Sequence, residues 1–364
     1  MSDPAAVSER EQKILGIIET ARAKRAKFRD ERINMAHGAG GKATQSLIEG
    51  LLAPAFESDA LNELADAATI AVGAVDLAFT TDSYVVKPMR FPGGSIGELA
   101  VNGTVNDLAV AGARPLALSL SLILEEGLAA EDLKAEVQAI ARTAREAGVE
   151  IITGDTKVVE RGHADGMYVC SAGIGRRDPR ARLSPAGLRP GDRILLSGSI
   201  GEHGTAIMLA RGEFELDAEI ESDTRSLWPL VDSLLEAVGP ELRCLRDATR
   251  GGVASVLNEL ARASSVAMIV RERAVPVRPE VAGAAEILGI DPMYVANEGK
   301  LVAFVAAEAA ERALAAIRAV PGCEAAAEIG EVRTEPPGMV LVETSFGGKR
   351  VMDQLVGDPL PRIC

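Results

Sequence analysis

Carboxylates at the ends of apolar runs and beside glycine-rich turns are the residues of this chain best placed to do chemistry. Asp66 opens DAATIAV, Asp82 ends an apolar alternation, Asp107 lies in NGTVNDLA and Asp247 opens DATRGG. Acids of this kind hold Mg²⁺, and through the metal the phosphates of a nucleotide; each also has an ordinary use as a cap, a turn residue or a solvated surface group. HGAGGK at 37–42, with Gly40, Gly41 and Lys42, offers backbone NH groups at a helix start, where an anion such as phosphate is favoured. It lacks the full P-loop spacing, and a plain turn is the alternative. GDTK at 154–157 sets Asp155 two residues from Lys157, a lysine suited to phosphate binding or to a proton transfer. NEGK at 297–300 puts Glu298 directly before an apolar run, where a partly desolvated carboxylate acts as a general base and an ion pair with Lys300 is the plainer account. Finally the chain ends in Cys364. The signal for prenylation needs a cysteine four residues from the end, so that use is excluded. About 17 residues follow Gly347, and at ~3.3 Å each an extended segment of that length reaches on the order of 50 Å. A thiol on such an arm suits a group carrier.

The elements that must position these groups follow from periodicity. Leu47, Ile48, Leu51, Leu52, Ala55 and Phe56 recur at helical spacing after the glycine loop. Val75, Leu77 and Phe79 alternate as a strand ending in Thr81, Asp82 and Ser83, and a helix is predicted over 95–111 with Asn102 and Asn106 on one face and Asp107 a step around. Strands are expected at 116–124, 149–153 and 167–174, with a helix over 130–147. Pro and Gly crowd 183–192, a domain junction, and RILLSGSIGEHG then restarts the strand, turn and helix pattern. Its glycines depart from GxGxxG, and no acidic ribose-binding residue is obvious some 20 positions on, so no dinucleotide site is read there. Helices near 226–238, 252–263 and 307–319 and strands at 266–270, 300–305, 325–332 and 338–343 complete the pattern, and nothing past Phe346 promises packing. Residues 8–30 read as a solvated helix.

Composition narrows the class. At 364 residues the chain exceeds the ~250–300 at which one core stops growing, so two domains are expected. The net charge of −14 argues against nucleic acid, whose binding needs clustered Lys and Arg. No apolar run reaches the ~18–20 residues of a membrane helix. Cys170, Cys244, Cys323 and Cys364 are scattered without a CxxC pair, which fits a reducing, cytoplasmic setting rather than a zinc or disulfide framework.

Taken in order, HGAGGK, TTDSYVV, FPGGSIGELAVNGTVNDLAVAGA, ILEEGL, TGDTKVV, DATRGGV, ANEGKLV and the closing PRIC resemble the carbamoyl dehydratases of hydrogenase maturation, the HypE family, over residues 33–364. That family belongs with aminoimidazole ribonucleotide synthetase and selenophosphate synthetase. Selenophosphate synthetases usually carry a reactive Cys or selenocysteine just before the glycine-loop lysine, which this chain lacks. The resemblance implies an α+β, two-domain PurM-like fold: a helical extension at 1–32, an ATP-binding, homodimerising α/β domain at 33–182, an α+β domain at 183–345 and a mobile tail at 346–364. It implies ATP and Mg²⁺ as cofactors, with Asp66, Asp82, Asp107 and Asp247 as metal and triphosphate ligands. Gly40, Gly41, Lys42, Asn106 and Asp155 become nucleotide neighbours. It implies further that a carbamoyltransferase, HypF, loads Cys364, that Glu298 and Lys157 assist the dehydration of this carboxamide to a thiocyanate, and that cyanide passes to a HypC–HypD complex.

Overall fold

A computed structural model describes residues 28–56, 58–62, 65–212, 219–357 and 362–364. Nearly all of the predicted 8–30 helix and most of the 1–32 extension lie outside these residues, and 28–30 carry no helix.

The first domain is a five-stranded sheet in the order β1-β2-β7-β5-β6: β1 Ala68–Val72, β2 Val75–Tyr84, β5 Ala113–Glu125, β6 Glu150–Val159 and β7 Met167–Arg177; β3 Arg90–Phe91 and β4 Gly94–Ser95 form a separate hairpin. Only β5 and β6 run parallel, joined by the helix Ala130–Ala147 as such a pair requires. GDTK, expected beyond a strand ending at 153, lies within β6, because the parallel ladder to β5 continues through Glu125↔Val159. In β2 the side chains of Ala78, Thr80 and Tyr84 turn inward, while Val75 and Phe79 face out. The period of two therefore sends Asp82 inward with Thr80 and Tyr84.

The helix Ile96–Val110 is buried along almost its whole length. A helix buried on every side must be covered on every side, and four clusters do so, one of them setting Leu108 against Ala67, Ala78 and Ala113. Ile96, Leu99 and Ala100 pack with Tyr84 and Met167, Val101 and Val105 with Leu118 and Ile140, and Ala109 and Val110 with Leu227, Leu230 and Leu245 of the second domain. It is the pin on which both domains are hung.

The second domain is a seven-stranded sheet, β14-β13-β10-β12-β8-β11-β9: β8 Arg193–Leu196, β9 Leu242–Asp247, β10 Ala267–Arg271, β11 Leu301–Val305, β12 Ala327–Arg333, β13 Val340–Glu343 and β14 Lys349–Met352. Both faces are buried, one under Gly252–Ala263 and the other under Trp228–Val238 and Ala310–Arg318. β1, β3, β4, β9, β14 and the helix Pro279–Leu288 have no counterpart in the sequence analysis. β14 pairs with β13, so the second sheet runs past the expected end at 345, and regular structure does continue beyond Phe346. A β-strand of four residues at a sheet edge carries too short a period to stand out in sequence.

Candidate active site

Four carboxylates meet where the two domains join. Asp66 precedes β1, Asp82 lies on the inward face of β2, Asp107 stands on the 96–110 helix, and Asp247 ends β9. Oxygens of Asp66, Asp107 and Asp247 lie within 4.8 Å of one another. Thr80 Oγ1 is 2.7 Å from Asp107 Oδ2 and 2.9 Å from the Asp66 carbonyl, and Tyr84 donates its hydroxyl to Asp82 at 3.0 Å. Burial, then the charges of Asp82, Asp247 and Asp66, hold the Asp107 carboxyl well above the usual range. Burial, then Asp66 and Asp82, do the same to Asp247, and burial raises Asp82. Arg246 pairs with Asp66, and one such cation does not neutralise four acids. Hard oxygen donors crowded until they repel one another are the donor set a Mg²⁺ ion fits.

Glu298 enters the same junction because β11 runs antiparallel to β9, with Leu301 opposite Asp247. The loop before β11 is thereby laid beside the end of β9. Glu298 is 3 % exposed, its Oε1 is buried without a hydrogen-bond partner, and burial followed by the charge of Asp247 lifts its pKa far above that of a free carboxyl. Lys300 does not pair with Glu298; it binds Asp223 at 2.9 Å.

The glycine loop closes over the DATRGG turn. Gly40 has φ of +73°, and a Cβ there would stand 2.8 Å from the Arg250 carbonyl; one on Gly41 would stand 2.7 Å from that of Leu355. Only glycine permits both the left-handed backbone and this approach. Lys42 donates its backbone NH to Leu355 and pairs its ammonium with Asp353 at 2.8 Å. Asn106 is fully used by the second domain: its Nδ2 donates to the carbonyls of Arg225 and Glu298, and its Oδ1 accepts from Leu227 N. In the protomer it clasps the domains together.

Lys157 and Asp155 stand apart from this group. They pair with each other at 2.6 Å, with side chains 69 % and 63 % exposed, on the edge strand β6.

Residues 362–364 are docked rather than extended away. Val85 N donates to the Cys364 carbonyl and Lys87 N to that of Arg362, a short strand-like pairing beside β2. Arg362 has φ of +59° and is held by an ion pair to Asp165 and by a hydrogen bond from its Nε to the Val85 carbonyl. Ile363 packs among Ile96, Leu99 and Ile207, a burial worth roughly 2 kcal/mol. Cys364 Sγ accepts from Arg250 Nε at 2.9 Å, while Arg250 Nη1 and Nη2 donate to the carbonyls of Gly38 and Ser83. Arg250 thus gathers the glycine loop, the end of β2 and the sulfur. Burial pushes the Cys364 thiol up to about 11 in spite of that guanidinium, with the Glu298 and Asp82 charges adding to the rise. Beside the sulfur lies a cavity of about 130 Å³, lined by Ala39, Val85, Arg250, Tyr294 and Leu355. At ~30 Å³ per water it has room for a small group on the sulfur.

A family model for AIR synthase related proteins matches residues 64–177 with its N-terminal domain and 189–342 with its C-terminal domain. The chain is 51 % identical over 340 residues to the carbamoyl dehydratase HypE of Azotobacter vinelandii, an alignment spanning 93 % of this chain and 99 % of that one. The chain belongs to the HypE family. Its Escherichia coli K12 member is 46 % identical over 337 residues, 91 % of this chain and 99 % of that protein. Among solved structures, a HypE in complex with ATP superposes with a TM-score of 0.77 at 45 % identity, over 92 % of this chain and all of that one. A HypE–HypF complex gives 0.81 at 43 %, over 85 % and 99 %. A ThiL complexed with AMPPCP and TMP, at 20 % identity and a TM-score of 0.67, shares the fold. The two-domain α+β PurM-like architecture implied by the motifs is the one these HypE relatives have.

Arg250, inside the quoted DATRGG motif, marks a candidate anion seat beside two glycines, and the structure sets it against the Cys364 sulfur. Three residues of the site carry no role in the sequence analysis. His203 lies in GSIGEHG, a stretch read only for its glycines. Asp223 and Arg246 belong to no pattern and meet the site only through the fold.

Proposed function

We propose that this chain works as the ATP-dependent carbamoyl dehydratase of hydrogenase maturation its family membership denotes, with Cys364 carrying the substrate into the junction of the two domains. The carrying observation is the sulfur itself: it is buried and accepts a hydrogen bond from Arg250, and the charges of Glu298 and Asp82 add to the rise of its pKa.

In the reaction a carboxamide on sulfur, S–C(=O)–NH₂, transfers its oxygen to the γ-phosphate of ATP, loses two protons from nitrogen and leaves as S–C≡N with ADP and phosphate. Amide oxygen is a poor leaving group, and phosphorylation corrects that. Asp66, Asp82, Asp107 and Asp247 would hold Mg²⁺, which would supply charge neutralisation for the triphosphate. ATP binding in the HypE complex of known structure supports the same nucleotide here, lying along Gly40, Gly41 and Lys42. Glu298 takes one nitrogen proton and the departing phosphate carries away the other: the Glu298 Oε1 has no partner, and desolvation has raised its proton affinity, which makes it a stronger base than a free carboxylate. Arg250 orients the sulfur so that the cargo faces this carboxylate. The thiol held neutral in the docked state is a poor nucleophile, so loading by a carbamoyltransferase takes place with the arm withdrawn.

Lys157 and Asp155 act only if a second copy covers β6. The outer face of the first sheet favours that, since Ile70, Val72 and Phe79 on it are each 45 to 54 % exposed; a homodimer through this face removes them from water. HypF is the proposed loading partner, supported by the HypE–HypF complex, and HypC with HypD the proposed acceptor. Cytoplasmic placement rests on the four free thiols.

The test is the mass of the C-terminal peptide after exposure to carbamoyl donor and Mg²⁺·ATP. Gain of one carbamoyl group followed by loss of one water on Cys364, with stoichiometric ADP, is expected; modification at another residue overturns the reading.

A further inference from the structure

A tethered substrate still has to be held at one fixed distance from its base, and here the base stands on a loop and the substrate at a chain end. Both are tied to a single short segment, 222–225. Asp223 accepts at Oδ1 from Glu298 N at 2.9 Å and at Oδ2 from Gly299 N at 3.2 Å and Lys300 Nζ at 2.9 Å. The side chains of Asp223 and Lys300 are only 5 % and 8 % exposed, so removing either leaves a buried charge without its partner. The neighbouring Ser222 places its Oγ 2.8 Å from His203 Nδ1, and His203 Nε2 is 2.7 Å from the carbonyl of Ile363, the residue before Cys364. A carbonyl only accepts, so Nε2 carries the proton and Nδ1 receives the serine hydroxyl. His203 is fully buried and packs its ring edge-on to Phe91. The segment is itself anchored to the first domain, by Ser222 N to the Pro92 carbonyl and by Asn106 to the Arg225 carbonyl.

We propose that Asp223, Ser222 and His203 are positioning residues that set the separation between Glu298 and the group carried on Cys364. The inference rests on the assignment of Glu298 as base. Successive Cα atoms are held about 3.8 Å apart by the trans peptide, so the ends of this relay, the backbone of Glu298 and the carbonyl next to the substrate-bearing residue, cannot drift independently. None of the three side chains hydrogen-bonds to the four-carboxylate corner or to the sulfur.

Three readouts on the full-length protein separate positioning from general damage: the single-turnover rate of cyanation of carbamoylated protein with Mg²⁺·ATP, the rate at which iodoacetamide alkylates Cys364 in unloaded protein, followed on the terminal peptide, and the affinity for ATP. His203→Leu is expected to raise alkylation and lower cyanation at least tenfold each, with His203→Gln, which restores a donor, recovering part of both. Asp223→Asn is expected to lower cyanation at least thirtyfold while alkylation and ATP affinity stay within threefold of wild type. A merely structural role would move all three together. Cyanation within threefold of wild type in both His203→Leu and Asp223→Asn overturns the relay. Where either variant does not melt cooperatively, Ser222→Ala decides, a loss of fivefold or more supporting the relay and a smaller change overturning it. Glu298→Gln run alongside keeps the two ideas apart: wild-type cyanation there removes the base assignment, whereas slow Glu298→Gln with normal His203 and Asp223 variants removes only the relay.

Discussion

The carboxylate corner and the sulfur chamber share one interdomain junction but are built on opposite electrostatic plans. In the corner, Asp66, Asp82, Asp107 and Asp247 are packed with more negative charge than Arg246 can offset, and Asp82, Asp107 and Asp247 all have raised proton affinity. Its donor set suits a divalent cation. In the chamber, Cys364 is pressed toward its neutral form by burial and accepts a hydrogen bond from one guanidinium, with the charge of Glu298 adding to the rise. That region suits an uncharged group on the sulfur. The difference teaches why one nucleotide and one tethered amide meet here without exchanging places: charge selects the occupant of the first region, and low polarity that of the second.

The comparison fails most completely if Cys364 is not the carrier, so Cys364→Ala should abolish cyanation, read as no water loss on the terminal peptide and no ADP above background. Next, Asp107→Asn should remove a metal ligand from the corner and slow phosphoryl transfer on the order of 10³-fold, about 4 kcal/mol of transition-state stabilisation, while leaving Cys364 alkylation unchanged. In the same variant the rise in melting temperature produced by Mg²⁺·ATP should vanish; in wild type, nucleotide at a hundred times its dissociation constant contributes about 2.7 kcal/mol. Glu298→Gln belongs to the chamber and should lower cyanation by ~10² to 10³ with Mg²⁺·ATP affinity intact. Loss of nucleotide affinity instead would merge the two regions into one.

Tail docking supplies a pH test. The docked Cys364 thiol is raised from 9.0 to about 11, so docking favours the protonated form. Its contribution is complete below pH 9 and is lost as pH rises towards 11, a weakening of docking by up to about a hundredfold, or 2 to 3 kcal/mol. Alkylation of Cys364, compared with that of a free C-terminal peptide, should therefore be most retarded below pH 9 and converge on the peptide's rate by pH 11. A constant ratio across that range would mean that the sulfur is not what the chamber discriminates. Smallest in effect, Lys157→Ala should change single-turnover cyanation less than about threefold in a protomer made monomeric by Phe79→Glu, since Lys157 there meets only Asp155. A larger loss in the dimer would give Lys157 its role through the second copy.

Much of this was legible in the amino-acid order. β2, β5 and the helix 130–147 follow from apolar periodicity, helix 96–110 from its length and its lack of proline, and the glycine loop, DATRGG and the terminal cysteine mark themselves by composition. Position along the chain does not say which carboxylates converge: Asp66 and Asp247 are 181 residues apart, and their meeting depends on the pairing of β9 with β11 and on the small residues of the 96–110 helix letting two domains close on one axis. Nor does it separate Asn106, spent on holding the domains, from Asp107, one step around the same helix and facing the acids.

Local order determined which elements form and which side chains can do chemistry, because helical and strand periods and glycine turns are short-range properties of the chain. The tertiary structure alone decided that Lys300 belongs to Asp223 and leaves Glu298 Oε1 free, that β14 extends the second sheet, and that the terminal thiol lies indoors beside Arg250. Each of these depends on burial and on contacts between residues remote in sequence, where desolvation rather than residue type sets the charge a group carries.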